Sequence, residues 1–379
     1  MKQLLLSLAV VLLVSCGGGG DGGGNSEQGR TLQQELEAIR ARHDLPALTA
    51  MRVEGDRIVE SGAVGIRAVG FPESVTRGDQ WHVGSLTKSM TATLAARLVE
   101  KGLIGWDTTV AFVFPGLMGV MQADYEDVRL DELLYHTSGL PEDIATPIYG
   151  TLRTSADPLT VQREKWTAEL LAVAPAVARG TYLYTNAGYI VACAMLEKVT
   201  GAQWETLMRQ EVFTPLGMTS TGFGAPGTAG LRDQPWGHMA QGGGWVPVDP
   251  GQPNADNPAA IGPAGTVHTT LSDYLKYAVA HLEGDDGTST YLTTATFTKL
   301  HTPTTGTNNA LGWGVFDRAW AGGDALTHAG SNNLWYAVVW LAPARDLAIF
   351  AATNAAGTSA GADATDEAVA LLLDRHFAP

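Results

Sequence analysis

The chain reads as an α/β (α+β) protein: one antiparallel sheet flanked by helices and built from both termini, with an all-helical subdomain at about residues 120–303 inserted between the two halves. Strand-like apolar runs bounded by turn residues stand near each end. Helix-period stripes flank those runs. The long interval between them carries helical stretches broken by Gly, Pro and Thr. With 379 residues, 45% of them hydrophobic, the chain can bury a large core as one domain or as two interleaved subdomains.

Taken in order, the first residues carry Lys2, an apolar stretch from Leu4 to Val14, and small residues before Cys16. This pattern is a secretory signal, too short to span a bilayer. The segment LVSC (Leu13–Cys16) is similar to a bacterial lipobox. It predicts a signal peptide at 1–15, lipid modification of Cys16, and a Gly-rich tether at 16–29 that leaves the folded domain, 30–379, anchored at the bacterial cell envelope. The other cysteine, Cys193, sits in an apolar helical stretch and reads as packing, so no intramolecular disulfide is expected. A formal net charge of −15 without any basic run argues against nucleic acid as a partner. The His residues are scattered singly and no Cys/His spacing suggests a metal or cofactor.

After the tether, TLQQELEAIRARHDLP predicts a helix with Leu32, Leu36 and Ile39 on its apolar face, stopped before Pro46. ALTAMRVEGDRIVESGAVG predicts two strands about a Glu54–Gly55–Asp56 turn. At the far end, LWYAVVWLAPARDLAIFAATN predicts two strands joined at Pro343–Asp346. DATDEAVALLLDRHF predicts a closing helix striped by Val369, Leu372 and Leu373.

Chemistry enters at WHVGSLTKSMTATLAARLVEKG, Trp81–Gly102. Leu86, Met90, Leu94 and Leu98, widened by Ala95 and Val99, predict a buried helix that Gly102 ends. Ser85 and Lys88, three apart, share a face at its N-terminus, where free backbone N–H groups favour developing negative charge. A serine hydroxyl needs a base, and a desolvated lysine can be one. A lone Ser-x-x-Lys match arises by chance, so its context decides. No Gly-x-Ser-x-Gly elbow offers a competing nucleophile.

That context is LLYHTSGLP (Leu133–Pro141), YLYTNAGYIVACAMLEKVTG (Tyr182–Gly201) and LTHAGSNNLWYAVVWLAP (Leu326–Pro343), with PLGMTSTGFG and GPAGTVHTTLSDYLKY between them. In this order and spacing, the chain after its tether resembles the serine β-lactamase and penicillin-binding protein superfamily. It is closest to the class C-like branch of β-lactamases, D-alanyl-D-alanine carboxypeptidases and related esterases. The resemblance implies an α/β sandwich beside a helical subdomain, which agrees with the pattern reading. It implies that Ser85 is the acylated nucleophile, Lys88 its proton partner, Tyr184 a second proton carrier, and Asn186 a holder of the lysine and of the substrate amide. Which of Lys88 and Tyr184 is the general base stays open: a tyrosine serves only if a cation such as Lys88 lowers its pKa from near 10.

Where many relatives carry Lys-Thr-Gly on the strand beside the cleft, this chain has His328-Ala329-Gly330. Gly330 is expected to let a substrate approach the strand backbone. Ser331 is expected to aim its backbone N–H beside that of Ser85 as an oxyanion hole, at about 3 kcal/mol per donor. His328 replaces a permanent cation with a group charged only below its own pKa. It predicts weak β-lactamase activity, better turnover of short esters or D-amino-acid peptides, and carboxylate recognition that strengthens from about pH 7 to 6. His136 and Ser138 read as loop formers beneath the cleft. The competing reading is a non-catalytic lipoprotein that binds peptidoglycan or a partner, which has no need of a lysine buried beside a serine.

Overall fold

The computed structural model describes residues 30–142, 146–357 and 359–378. Eleven strands appear among these residues: β1 (Ala47–Glu54), β2 (Arg57–Gly65), β3 (Gln80–His82), β4 (Gly222–Phe223), β5 (Gly237–Gln241), β6 (Gly244–Val248), β7 (Val267–Thr270), β8 (Gly314–Arg318), β9 (Gly323–Ser331), β10 (Tyr336–Ala342) and β11 (Leu347–Thr353). The main sheet runs β2-β1-β11-β10-β9-β8, antiparallel throughout. Strands from both ends of the chain therefore share one sheet, and β1 pairs directly with β11 from Leu48↔Thr353 to Glu54↔Leu347.

The sheet is apolar on both faces because side chains alternate along each strand. On β11, Ala348, Phe350 and Ala352 join the larger core, whereas Leu347, Ile349 and Ala351 face the other way. On β10, Ala337, Val339 and Leu341 oppose Val338, Trp340 and Ala342 in the same manner. The second face is covered by the first and last helices, Leu32–Arg42 and Ser359–Phe377, through Leu36, Ile39, Ala368 and Leu372. The first helix starts at a capping box on Thr31 and Gln34.

The first face packs on the helix Leu271–Asp286, where the Tyr274 ring lies 4.7 Å from that of Phe350, and the same core takes in the helix Thr87–Glu100, whose predicted stripe of Met90, Leu94, Ala95 and Leu98 is buried. Thr91, Thr93, Ala92 and Ala96 are buried as well, so the helix is enclosed on every side. Its other neighbours include the helices Asn186–Thr200 and Thr294–His301. Cys193 is buried among apolar side chains, as expected of packing.

The inserted interval is not purely helical. A small sheet, β3-β7-β4, and the hairpin β5-β6 lie largely within it. Its Gly- and Pro-rich stretches give strands of two to five residues, too short to show a period in sequence.

Candidate active site

Ser85 lies in a short 3-10 turn, Gly84–Leu86, that leads straight into the Thr87–Glu100 helix. Gly84 has φ +52°, and a Cβ there would stand 2.3 Å from Ser331 N, so both conformation and space demand glycine. Thr87 Oγ1 donates to Gly84 O (2.7 Å) and accepts from Val267 N (3.1 Å). Val83 N donates to Val267 O at 2.9 Å. The turn that carries Ser85 is thus fastened to β7.

Lys88 has no exposed surface. Its Nζ lies 3.0 Å from Ser85 Oγ, 2.8 Å from Asn186 Oδ1 and 2.7 Å from Ala264 O. Burial pulls its pKa down to about 7. A neutral amine has two N–H groups and one lone pair. Asn186 Oδ1 and Ala264 O only accept, so they take the two N–H groups and leave the lone pair for the Ser85 hydroxyl proton. That is the geometry a general base needs.

Tyr184 stands beside Ser85, and its ring centroid is 4.9 Å from Lys88 Nζ. The expectation that Lys88 lowers the phenol's pKa is not met. Desolvation raises it well above the usual value, although the neighbouring Ser85 hydroxyl pulls the other way. The tyrosine keeps 38% of its surface exposed, which softens the size of the rise but leaves its direction. The physical reason lies in Lys88, which is itself driven toward neutrality and so offers no fixed cation. Of the two, Lys88 is the group that burial drives toward its neutral, proton-accepting form, while burial favours the protonated form of Tyr184.

Tyr184 is held from below by the His136 loop. His136 adopts φ +61°, its ring lies 4.5 Å from the Tyr184 ring, its Nδ1 accepts from Thr185 N (3.1 Å), and its carbonyl accepts from Leu183 N (2.8 Å). Ser138 Oγ accepts from Leu140 N at 3.4 Å within the same loop. Both residues form the loop, as read from sequence. Asn186 opens the helix Asn186–Thr200, which Thr185 caps by accepting from Ala187 N.

Opposite them stands β9. β8 pairs with β9 only as far as Thr327, so His328–Ser331 run past the end of β8 with one side free of a strand partner. A Cβ on Gly330 would stand 2.2 Å from Val83 O and 2.5 Å from Ser85 N. The glycine therefore makes room for the Ser85 turn, not for a substrate as expected from the sequence. The consequence is that Ser331 N and Ser85 N belong to backbone segments in direct contact. The Ser331 hydroxyl itself accepts from Asn333 N (2.9 Å).

His328 also departs from expectation. Its Nδ1 lies 2.7 Å from Ala329 O, which can only accept, so Nδ1 carries the proton and Nε2 the lone pair. Burial first, and Lys88 second, push the imidazole down to about 4. It is neutral at physiological pH and does not act as a cation between pH 7 and 6. Cys16 lies outside the described residues. Among those residues, no group of three or more His, Cys, Asp or Glu side chains is placed to hold a metal ion. Two surface cavities, of about 430 and 300 Å³, lie along Ala240–Trp245 and between Thr151 and Glu169, and neither is lined by a site residue.

A profile of the Beta-lactamase family matches residues 32–374. The chain belongs to the Beta-lactamase family. Within the wider serine β-lactamase and penicillin-binding protein superfamily, it is 27% identical over 336 residues to penicillin-binding protein 4 of Amycolatopsis lactamdurans, covering 85% of this chain and 84% of that one. Its fold is similar to that of a class C β-lactamase from Rhodobacter sphaeroides, with TM-score 0.70 and 21% identity over 90% of this chain and 99% of that one. It is also similar to a D-stereospecific amidohydrolase from Streptomyces, with TM-score 0.68 and 20% identity over 89% and 97% of the two chains. Beta-lactamase family membership on this fold makes the chain a serine hydrolase.

Three groups packed beside Lys88 or the Ser85 turn carry no signal in the sequence motifs. Ala264 O acts through its backbone, which no side-chain motif records. His82 stands within Trp81–Gly102, where neither spacing nor motif sets it apart from its neighbours. Asp256 lies 171 positions from Ser85 in a loop without regular pattern, and only the folded chain brings it near.

Proposed function

We propose that this protein is an extracytoplasmic acyl-transferring hydrolase that forms a Ser85 ester intermediate and passes it to water. The observation that carries this reading is the three-way contact of Lys88 Nζ with Ser85 Oγ, Asn186 Oδ1 and Ala264 O. As Ser85 Oγ bonds to the carbonyl carbon, Lys88 takes its proton. Charge gathers on the carbonyl oxygen beside the Ser85 and Ser331 amides. The bond to the leaving nitrogen or oxygen breaks as Tyr184 donates its proton there, and Lys88 returns a proton to Tyr184. Water then attacks the ester and the proton moves in reverse, which restores Ser85.

Preferred substrates are short carboxylic esters and amides or peptides of D-amino acids that carry no free carboxylate next to the scissile bond. A neutral His328 with an Nε2 lone pair supports this, because it offers an anion neither charge nor donor. The similarity to a D-stereospecific amidohydrolase points the same way. Reaction with a fluorophosphonate, followed by peptide mass mapping, tests the assignment; label on any residue but Ser85 would overturn it. Anchoring through Cys16 belongs to the same proposal, and Cys16→Ser should move the protein from the membrane fraction to the soluble one.

His328 also gives a pH prediction. The ratio of kcat/KM for a carboxylate-bearing substrate to that for a neutral ester should stay flat from pH 8 to about 5.5, since the imidazolium forms only near 4. His328→Lys should raise that ratio about tenfold at pH 7, the size of one favourable charge pair. A ratio that climbs in the unmodified protein between pH 7 and 6 would show His328 to be the carboxylate-recognition group after all.

A further inference from the structure

Beneath the nucleophile's turn lies a polar chain that the acyl-transfer steps leave unused. Gly84 N donates to His82 Nδ1 at 3.1 Å. Since that N–H can only donate, Nδ1 holds the lone pair and Nε2 carries the proton, which it donates to Asp256 Oδ2 at 3.0 Å. The other carboxylate oxygen, Oδ1, accepts from Asn332 Nδ2 (2.9 Å) and from Asn257 N (2.6 Å). Asn332 in turn accepts at its Oδ1 from Leu334 N and Trp335 N, both at 3.1 Å. His82 is fully buried and lies against Trp335, ring centroids 5.4 Å apart. Asn332 and the Asp256 side chain are more than nine-tenths buried.

The two arms end at adjoining places. Gly84 is the residue before Ser85, and Asn332 is the residue after Ser331. One carboxylate thus ties the chain beside each of the two amides that flank the nucleophile, across 174 residues on one side and 76 on the other. We propose that Asp256 is a positioning residue that sets the spacing of the Ser85 and Ser331 amides, acting through His82 on one and Asn332 on the other. This rests on the reading of those amides as the oxyanion hole. Such donors reward geometry steeply, because an amide displaced from the developing oxyanion leaves its charge unmatched in a site that excludes water. A substrate's ground state asks much less of them, so the effect falls on kcat and not on KM.

Asp256→Asn is the incisive variant. It preserves shape and an acceptor for Asn332, but presents an NH₂ group to the proton on His82 Nε2. The imidazole must then shift its proton to Nδ1, which faces the Gly84 N–H donor, and the turn is released. Rates for p-nitrophenyl acetate are taken per fluorophosphonate-titrated Ser85, so that unfolded protein does not count. The expected result is a loss of about 10- to 100-fold in kcat, KM within about twofold, and a matching loss of affinity for an aryl boronic acid, whose tetrahedral adduct places an oxygen in the hole. Imidazole ¹⁵N shifts should show His82 as the Nε2–H tautomer in the unmodified protein and as Nδ1–H in the variant.

A switched tautomer with kcat and boronate affinity within about threefold of the unmodified enzyme would overturn the proposal. An Nδ1–H tautomer in the unmodified protein would do so as well. Should Asp256→Asn fail to fold, Asn332→Ser severs one arm alone: weaker boronate binding at unchanged KM supports the proposal, and unchanged boronate binding overturns it. Absence of both label and turnover in the unmodified protein would instead count against the hydrolase reading, while the tautomer would still report on the carboxylate's hold.

Discussion

Ser85→Ala should lower kcat on a neutral ester by on the order of 10⁵-fold while leaving the fold intact, since the hydroxyl fills no core position and its neighbours keep their backbone contacts. The residual rate then reflects only the amides and the enclosing site acting on water. The sharper test is the double variant. Ser85 and Lys88 act as one unit, joined at 3.0 Å, so Ser85→Ala with Lys88→Met should be no slower than Ser85→Ala alone, to within about threefold. Multiplying losses would mean that Lys88 serves some step that does not run through Ser85. A kcat left unchanged by Ser85→Ala would remove the nucleophile assignment altogether and favour a binding protein on this fold.

Lys88→Met alone should lower kcat by about 10³-fold, the scale of a lost general base. In the unmodified enzyme kcat should rise with pH through about 7, where the amine loses its proton, and then level off. In the variant that limb should vanish. Stability supplies an independent measure with a definite sign. The folded-state pKa of Lys88, about 7, lies below its ordinary 10.5, so between these values the unfolded chain holds more protons, and stability rises with pH. The cost of burying the ammonium is thus fully felt below pH 7 and disappears as pH rises toward 10. Relative to Lys88→Met, the unmodified protein should gain on the order of 4 kcal/mol between pH 6 and 10, readable from urea unfolding at each pH. An unchanging difference would show that the lysine stays charged in the fold and is not the base.

The parts of the fold legible in the sequence were those whose signal is local and periodic. Leu36 and Ile39, Met90 and Leu94, and Val369 and Leu372 advertise helices through their spacing, and all six are buried. The pairing of β1 with β11 is not local; the sequence puts strands from both termini in one sheet but carries no signal for which of them pair. The strands of the interval, such as Gly222–Phe223 and Val267–Thr270, have too few residues to display alternation. In the site, Ser85 and Lys88 were legible because three-residue spacing fixes a shared helical face, and Tyr184, Asn186, His328 and Ser331 because motif order placed them. Charge states were not legible. The fall of Lys88, the rise of Tyr184 and the fall of His328 all begin with desolvation, which depends on neighbours far along the chain. The purpose of Gly330 was hidden for the same reason, since the atoms that need its missing side chain belong to Val83 and Ser85.

The insertion of β11 between β1 and β10 has a consequence for how the molecule comes into being. A ribosome delivers the N-terminal strands long before their partner: Leu48 waits for Thr353 and Gly84 for Ser331. Contacts of such high order are entropically expensive to close and form late. Until they close, the turn that carries Ser85 lacks the strand that braces it, and the Ser331 amide is absent from its side. A nascent chain therefore holds Ser85 and Lys88 apart from the Ser331 segment, and the assembled site is a property of the finished polypeptide.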